Sequence, residues 1–252
     1  MSGRVTIVGL GPGPAEWMTP EASAAIEAAS DVVGYGPYVK RLALRAEQCA
    51  HASDNRLEMD RARLALTLAV EGRAVAVVSG GDPGVFAMAA AVFEAIEEDP
   101  RWLRLDIQVA PGVTAMQAAA ARLGAPLGHD FCAISLSDNL KPWAIVERRL
   151  LAACAGDFVI ALYNPASRAR PNGITQAFDV LRGAKASSTP VAFARAVGRA
   201  DETLTLTTLG EADPGRADMA TLVVIGSSET RFIARDAARP WMVTPRASGA
   251  RR

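Results

Sequence analysis

Three glycine-rich turns stand out as places where the main chain could bind a ligand. Residues 9–14 read GLGPGP, residues 79–84 read SGGDPG and residues 111–115 read PGVTA. Each turn follows a short apolar run and precedes a helical pattern. Because glycine has no side chain, the backbone can approach a ligand closely at such positions. The three turns predict a ligand site that is built by loops.

The first turn departs from the dinucleotide-binding fingerprint. That fingerprint, G-x-G-x-x-G, needs glycine at its sixth position, where this chain has Pro14. Pro12 and Pro14 also lack the amide N–H groups that a pyrophosphate would use. A nicotinamide or flavin site is therefore disfavoured, and the turn is interpreted either as a structural turn or as a loop for another ligand.

The other two turns each have two interpretations. Asp82 could accept hydrogen bonds from a hydroxyl or ammonium group of a ligand, or it could cap a helix that begins at Pro83. Thr114 could contact the same ligand, or it could be the N-cap of the helix predicted over residues 114–123. The residue types alone leave both pairs open.

Metal and hydrolytic chemistry have little support. The three cysteines and two histidines show no metal-ligand spacing, so no metal site, cluster or disulfide framework is expected. His51 and His129 have no serine or cysteine partner in a nucleophile motif. Four arginines that follow predicted strands, Arg168, Arg170, Arg195 and Arg199, are either solvated or able to bind carboxylates through their guanidinium forks.

The elements that position these residues alternate between strands and helices. Apolar runs at residues 5–8, 31–35, 75–78 and 106–109 predict strands, with helices over residues 20–30, 59–71, 85–98 and 114–123 between or after them. This alternation is typical of an α/β fold with a mostly parallel sheet, where ligands bind at the carboxyl ends of the strands. Thr19 and Pro20 mark the start of the first helix, and Gly72 the end of the second.

A segment rich in glycine and proline, residues 124–130, predicts a domain boundary near residue 127. We expect an N-terminal α/β domain at 1–127 and a C-terminal α/β domain at 128–252. In the latter, strands at residues 132–136, 158–163, 191–197, 203–209 and 221–225 and helices at residues 143–155 and 173–184 predict a mixed sheet, because the last three strands are separated only by short polar breaks. The arginine-rich tail is expected to end loosely.

Composition narrows the range of partners. The chain has 252 residues, half of them apolar, and its 27 basic side chains balance 27 acidic ones. Without a basic excess, neither nucleic acid nor an anionic membrane surface is an expected partner. No apolar run is long enough for a signal peptide or a membrane span, so a cytoplasmic protein is expected.

The ordered set of turns, followed by a second α/β half, resembles the tetrapyrrole methylases from Val5 to about Ser228. Within that family, residues 162–170 (LYNPASRAR) and 81–89 (GDPGVFAMA) resemble the branch that methylates precorrin-3B at carbon 17. Many relatives have Tyr-Met where this chain has Tyr163-Asn164. The resemblance implies two α/β domains, S-adenosyl-L-methionine as cofactor and a ligand cleft between the domains.

Carried over position by position, the resemblance implies a set of cofactor contacts. They are Pro12, Gly80, Gly81, Asp82, Val85, Thr114, Ala115, Tyr163, Asn164, Ala192, Phe193, Thr221 and Leu222. It also implies a tetrapyrrole substrate edged with acetate and propionate groups, for which Arg168, Arg170, Arg195 and Arg199 are the candidate receptors.

The reaction implied by the resemblance is methylation followed by ring contraction to precorrin-4 in cobalamin biosynthesis. Methyl transfer needs two positioned reactants and no enzyme nucleophile. The contraction needs proton transfers, for which Asp82, Ser135, Ser137 and Asp138 are candidates.

Three alternatives stay open. The chain could methylate another tetrapyrrole, such as uroporphyrinogen or precorrin-4, it could methylate a protein or RNA, which zero net charge does not favour, or it could be a tetrapyrrole carrier without catalysis. A homodimer and transient contacts with neighbouring pathway enzymes are further implications of the resemblance.

Overall fold

The computed structural model describes residues 3–54, 57–166 and 172–248. The chain divides into two compact units, Met1–Ala115 and Met116–Arg252. No helix in the described part of the chain is both long and apolar enough to cross a membrane. The domain boundary that the sequence places near residue 127 stays a prediction.

The first unit contains a sheet of five parallel strands. In the order β3-β2-β4-β1-β5, all neighbouring strands pair in parallel. The strands are β1 (Arg4–Gly9), β2 (Asp31–Tyr35), β3 (Cys49–Ser53), β4 (Ala74–Ser79) and β5 (Asp106–Ala110). The prediction of a parallel sheet is confirmed, although β3, whose side chains are mostly polar or small, was not predicted.

Helices cover this sheet on both faces. They are α1 (Pro20–Ala28), the short α2 (Gly36–Val39), α3 (Glu58–Val70) and α4 (Met88–Ile96). In β4, Val75 and Val77 pack in the core beneath α3 and α4, whereas Ala76 and Val78 pack in the core beneath α1 and α2. A strand that is buried on both sides needs a continuous apolar run, which is why its sequence reads as one.

The predicted helix boundaries are confirmed in two cases and wrong in one. The Thr19 hydroxyl accepts a hydrogen bond from the Ala22 amide at 3.1 Å, which caps α1. Gly72 follows α3 with φ +88°, as expected for a left-handed residue after a helix. The helix predicted from Val85 begins only at Met88. Phe86 has φ +53° and therefore cannot continue an α-helix.

The second unit contains a mixed sheet, as predicted. Its strand order is β10-β9-β11-β8-β7, and among these pairs only β7 and β8 are parallel. The elements are α5 (Ala115–Leu123), β7 (Phe131–Ser135), α6 (Trp143–Ala155), β8 (Val159–Tyr163), α7 (Gly173–Ala184), β9 (Pro190–Arg195), β10 (Thr203–Thr208) and β11 (Thr221–Ile225). Its core includes Phe178, Leu150, Ile160 and Phe193.

A small third sheet was not predicted. It joins β6 (Gly124–Ala125), β12 (Arg231–Arg235) and β13 (Ala238–Val243). The Thr244 hydroxyl donates to the Pro126 carbonyl at 2.6 Å, and both threonine hydroxyls of the pair Thr230 and Thr244 are buried. The segment interpreted as a linker is therefore hydrogen-bonded to the chain's own C-terminal hairpin.

Candidate functional site

The three glycine-rich turns meet at one edge of the first unit's sheet. They form the loops of residues 10–14, 80–87 and 111–114, here called the glycine loops, which follow β1, β4 and β5. Strand β1 lies between β4 and β5 and is parallel to both. Since parallel strands end at the same edge of a sheet, the three loops are neighbours.

Main-chain hydrogen bonds join the first two glycine loops. The Gly11 amide donates to the Gly81 carbonyl at 3.1 Å, and the Gly81 amide donates to the Gly11 carbonyl at 3.1 Å. Gly11 has φ +65° and Gly81 has φ +73°, a region that side chains disfavour. The two glycines are therefore required by the turn geometry itself.

The third loop packs directly against the backbone of the other two. A Cβ atom on Gly112 would lie 2.4 Å from the Gly81 carbonyl oxygen and 2.9 Å from the Gly9 Cα atom. Neither neighbour is a flexible side chain that could move aside. The sequence reasoning singled out the motif but did not foresee that the three loops touch through these glycines.

Asp82 links the second and third loops through its carboxylate. Its Oδ1 atom accepts a hydrogen bond from the Gly84 amide at 2.8 Å, and its Oδ2 atom accepts one from the Gly112 amide at 3.0 Å. The alternative that Asp82 caps a helix beginning at Pro83 is wrong, because the helix begins at Met88. This aspartate fixes the relative position of two loops.

Two further side chains hold the loops from outside. Arg41 donates from Nη2 to the Gly13 carbonyl at 2.6 Å. The Thr19 hydroxyl donates to the Pro111 carbonyl at 3.1 Å, in addition to capping α1. Arg41 was missed by sequence reasoning, since its position after α2 gives no signal in the local pattern.

The predicted cofactor residues of the first unit lie on or beside these loops. From the position of a Gly81 Cβ atom, the Thr114 Cα atom would be 3.9 Å away and the Ala115 amide 4.0 Å away. Val85 donates its amide to the Asp82 carbonyl at 3.3 Å. Pro12 and Gly80 belong to the first two loops. The arrangement presents backbone groups with few side chains, which suits a ligand held by the main chain.

Several predicted residues of the second unit also share an edge of their sheet, whereas Ala192 and Phe193 lie in the middle of β9. Ser135 pairs with Tyr163, and Arg195 pairs with Thr221. Because β11 runs antiparallel to β8 and β9, its amino end meets their carboxyl ends. The sheet topology thus brings together residues that are far apart in sequence.

Side-chain hydrogen bonds shape the end of β8. Asn164 has φ +52° and donates from Nδ2 to the Ser135 hydroxyl at 3.0 Å. The Ser137 amide donates to the same hydroxyl at 3.3 Å. The Tyr163 hydroxyl accepts a hydrogen bond from the Met116 amide at 3.0 Å. Asparagine tolerates the left-handed conformation better than most residues, which fits its presence at this turn.

The strand residues of the set are largely buried. The Phe193 ring stacks on Phe178 with centroids 5.9 Å apart, so this side chain belongs to the core. Ala192 and Leu222 are buried but lie outside that core cluster. The Thr221 hydroxyl donates to Asp218 at 2.7 Å. At Phe193 and Thr221 the backbone is the part that a ligand would meet.

Of the four candidate substrate arginines, the structure describes Arg195 and Arg199. Arg168 and Arg170 lie outside the described residues. Arg195 makes ion pairs of 2.8 Å with both Asp201 and Asp218, and its guanidinium lowers the pKa of Asp201. Arg199 belongs to the turn between β9 and β10, and Asp138 to the loop between β7 and α6. A substrate carboxylate at Arg195 would have to compete with two carboxylates already present.

The arrangement of the two units defines the class of this protein. The first unit has hydrogen-bonded glycine loops at the edge of a parallel sheet, and the second unit has a mixed sheet. The chain belongs to the Tetrapyrrole (Corrin/Porphyrin) Methylases, whose family model matches residues 4–213. Among its relatives, a Sinorhizobium protein named precorrin-3B C(17)-methyltransferase is 58% identical over 247 residues, covering 98% of this chain and 97% of the relative.

Two solved structures share the fold of this chain. The crystal structure of the methyltransferase CobJ is 51% identical with a TM-score of 0.92, and the match covers 97% of this chain and 100% of that one. A uroporphyrin-III C-methyl transferase from Thermus thermophilus, complexed with S-adenyl homocysteine, is 20% identical with a TM-score of 0.66, covering 89% of this chain and 92% of that one. The latter likeness concerns the fold alone.

Proposed function

We propose that this protein transfers a methyl group from S-adenosylmethionine to carbon 17 of precorrin-3B, with ring contraction to precorrin-4, in cobalamin biosynthesis. The observation that carries the proposal is the 58% identity to a precorrin-3B C(17)-methyltransferase over nearly the full length of both chains. At such identity and coverage, the residues that form the site and the core are expected to correspond.

The glycine loops fit the proposed cofactor. S-adenosylmethionine supplies, when bound, a methyl group on a positively charged sulfonium. Its amino acid, ribose and adenine groups need hydrogen-bond donors and acceptors at close range, and loops rich in glycine let such groups approach main-chain amides and carbonyls closely. We assign the cofactor to Pro12, Gly80, Gly81, Asp82, Val85, Thr114 and Ala115, with Tyr163, Asn164, Ala192, Phe193, Thr221 and Leu222 from the second unit.

Catalysis in this proposal comes mainly from positioning. An in-line displacement proceeds when donor and acceptor carbons are held at the correct distance and angle, and no enzyme nucleophile takes part. The cross-linked loops are suited to that task, because Asp82 and the bridge between Gly11 and Gly81 fix them relative to one another. A loop that need not rearrange on binding keeps its ligand in one orientation.

The contraction step of the proposed reaction also requires proton transfers. Asp82, Ser135 and Asp138 remain the candidate acids or bases. Both carboxylate oxygens of Asp82 accept loop amides, which favours a positioning role for this residue. Ser135 accepts two hydrogen bonds and keeps its own hydroxyl proton available for donation.

The substrate carboxylates are assigned to four arginines, Arg168, Arg170, Arg195 and Arg199. Guanidinium groups bind carboxylates in a bidentate manner and keep their charge at all physiological pH values. Arg195 already makes two ion pairs, with which a substrate carboxylate would have to compete.

The test is an anaerobic incubation of the purified protein with precorrin-3B and methyl-labelled S-adenosylmethionine, followed by mass spectrometry and carbon NMR. We expect label at carbon 17 together with a new acetyl signal from the contracted ring. Label at another carbon would reassign the protein to a different tetrapyrrole methylation. Absence of both label and cofactor binding would contradict the proposal and favour a carrier.

The proposal also covers the cellular location, the oligomeric state and the partners of the protein. We place the protein in the cytoplasm as a homodimer that contacts neighbouring pathway enzymes transiently, and we expect neither nucleic acid nor a membrane as partner. Sedimentation at micromolar concentration should give twice the chain mass of 26.4 kDa. A monomer under these conditions would contradict the dimer without affecting the methylation proposal.

A further inference from the structure

A cluster of two tyrosines and an arginine lies beside the glycine loops and has no role in the assignments above. Tyr35 is the last residue of β2, Tyr38 lies in α2 and Arg61 lies in α3. A Cβ atom on Gly80 would lie 2.6 Å from Cζ of Tyr38 and 2.8 Å from its hydroxyl oxygen. The phenol of Tyr38 therefore touches the second glycine loop.

The two phenol rings are arranged edge to face. Their centroids are 5.3 Å apart, with an interplanar angle of 88°. Both side chains are partly exposed. Within the described part of the chain, neither hydroxyl has a hydrogen-bond partner, so both can donate to a ligand. The Tyr38 ring also packs against the apolar core beneath α1 and α2.

Arg61 is a buried cation with uncharged partners. It is 4% exposed. Its guanidinium donates to the Ser53 hydroxyl at 2.9 Å, to the Asp54 carbonyl at 2.7 Å and to the Met88 sulfur at 3.1 Å. Buried charges are normally paired with an opposite charge, and no described carboxylate forms an ion pair with this one.

The charge of Arg61 is felt at the two phenols. Burial lowers the pKa of Arg61, and the opposing influences of Glu58, Tyr38 and Tyr35 are smaller. An arginine remains protonated even so. Arg61 therefore contributes positive charge near the two hydroxyls, which favours an anion that can accept hydrogen bonds.

We propose that Tyr35 and Tyr38, backed by the buried charge of Arg61, bind a carboxylate substituent of the tetrapyrrole substrate. The inference rests on the proposed function. Both the macrocycle and the amino acid part of S-adenosylmethionine carry carboxylates. The macrocycle is favoured because β2 lies on the far side of β4 from β1 and β5, outside the three loops assigned to the cofactor.

Tyrosine-to-phenylalanine variants test the inference, because they remove a hydroxyl and keep the ring. For Y35F/Y38F, we expect the KM for precorrin-3B to rise about tenfold, as is typical when a hydrogen bond to a charged group is lost. The KM for S-adenosylmethionine should stay within about twofold of the original, because the phenylalanine ring keeps the packing of residue 38 against Gly80 and only the hydroxyls are removed. An unchanged KM for precorrin-3B would overturn the inference, as would a rise confined to S-adenosylmethionine.

Arginine variants separate charge from packing. R61M removes the charge and R61K keeps it, so R61M alone should raise the KM for precorrin-3B, whereas equal effects of both would indicate packing and overturn the proposed role. The matched control is R63M, on the same helix, because Arg63 pairs with Glu98 and Asp60 at the surface and should not affect either KM. If R61M fails to fold, the KM values of the tyrosine variants test the inference on their own.

The activity of the unaltered protein distinguishes a wrong inference from a wrong proposed function. If the unaltered protein neither binds nor methylates precorrin-3B, the proposed function fails and the inference falls with it. If the unaltered protein is active and Y35F/Y38F keeps its KM for precorrin-3B, the inference alone is wrong.

Discussion

The sheet edge of the first unit and that of the second unit, each taken by itself, are stabilised in different ways. In the first unit, main-chain groups of the glycine loops touch each other through the bridge between Gly11 and Gly81 and the contact at Gly112. In the second unit, side chains make the connections, as in Asn164 with Ser135 and Thr221 with Asp218.

This difference has consequences for how each edge can vary. A side-chain contact can be replaced by another pair of side chains without moving the strands. At Gly112, by contrast, a Cβ atom would lie only 2.4 Å from the Gly81 carbonyl oxygen, so no side chain fits there. We therefore expect the first unit's edge to tolerate almost no substitution, and the second unit's edge to be the place where substrate preference can change.

The largest effect is expected from Gly112→Ala. The added Cβ atom would meet the Gly81 carbonyl oxygen at 2.4 Å and force the loops apart. Overpacking of this kind costs about 3 kcal/mol, and S-adenosylmethionine affinity should fall at least about tenfold. Chemical denaturation and titration calorimetry measure both quantities.

The matched control for Gly112→Ala is Gly183→Ala in α7. A Cβ atom there would have no neighbour within 4 Å. Since alanine favours a helix over glycine, this variant should be stabilised by about 0.5 kcal/mol. Full cofactor affinity in Gly112→Ala would contradict the importance of the main-chain contact.

A somewhat smaller effect is expected from Asp82→Ala. Two loop amides would lose a charged acceptor, which costs about 2 kcal/mol and should raise the KM for S-adenosylmethionine. Asp82→Asn keeps one acceptor oxygen and should be intermediate in both respects. If Asp82→Asn instead abolished kcat while cofactor affinity stayed normal, Asp82 would be an acid or base and not a positioning residue.

The third prediction concerns the edge of the first unit's sheet where the strands begin. At this edge, side chains make the contacts of Asp31. Asp31 is 1% exposed and lies 2.6 Å from Arg73 and 2.8 Å from His51. Although burial acts to raise the pKa of Asp31, hydrogen bonds from Arg73, His51 and Ser30 lower it from 3.8 to about 2.

The sign of the pH dependence follows from that lowered pKa. The carboxylate contributes about 2 kcal/mol of stability above the unfolded pKa near 3.8, and this contribution is lost as the pH falls toward 2. Denaturant unfolding at pH 6 and pH 2.5 measures it. Asp31→Asn should be less stable at pH 6 and should change less between the two pH values, and an equal change in both proteins would refute the assignment.

The smallest effect is expected from Asn164→Met. The change places a larger side chain at φ +52° and removes the hydrogen bond to Ser135, for a cost of about 1 kcal/mol. Thermal unfolding measures it. Asn164→Gly is the control, because it relieves the backbone and loses only the hydrogen bond. A loss as large as that of Gly112→Ala would break the contrast between the two edges.

Much of the fold could be predicted from local patterns. The apolar runs of β1 and β4 and the cap formed by Thr19 and Pro20 were readable because each depends on neighbours in sequence. The strand β3 and the hairpin β12–β13 were missed, since their side chains are largely polar or exposed and their pairing depends on partners far along the chain.

Part of the site was also readable. The glycine motifs and Asp82 were singled out, but the sequence left open whether Asp82 caps a helix or joins two loops, and Phe86 gave no sign that it would delay the helix to Met88. The position of Arg61 in the sequence gave one indication that it is buried. It occupies the same helical face as Ala62, Ala65 and Leu66, where an apolar residue is expected.

The sequence by itself determined most strands of the two main sheets, which turns must be glycine-rich and which family the chain resembles, because these depend on residue type and short-range spacing. The tertiary structure decided which loops touch, which carboxylate joins them and, among the described residues, which cation is buried without an ion-pair partner. These features depend on strand order, and strand order brings together residues such as Asp82 and Gly112 that no local pattern connects.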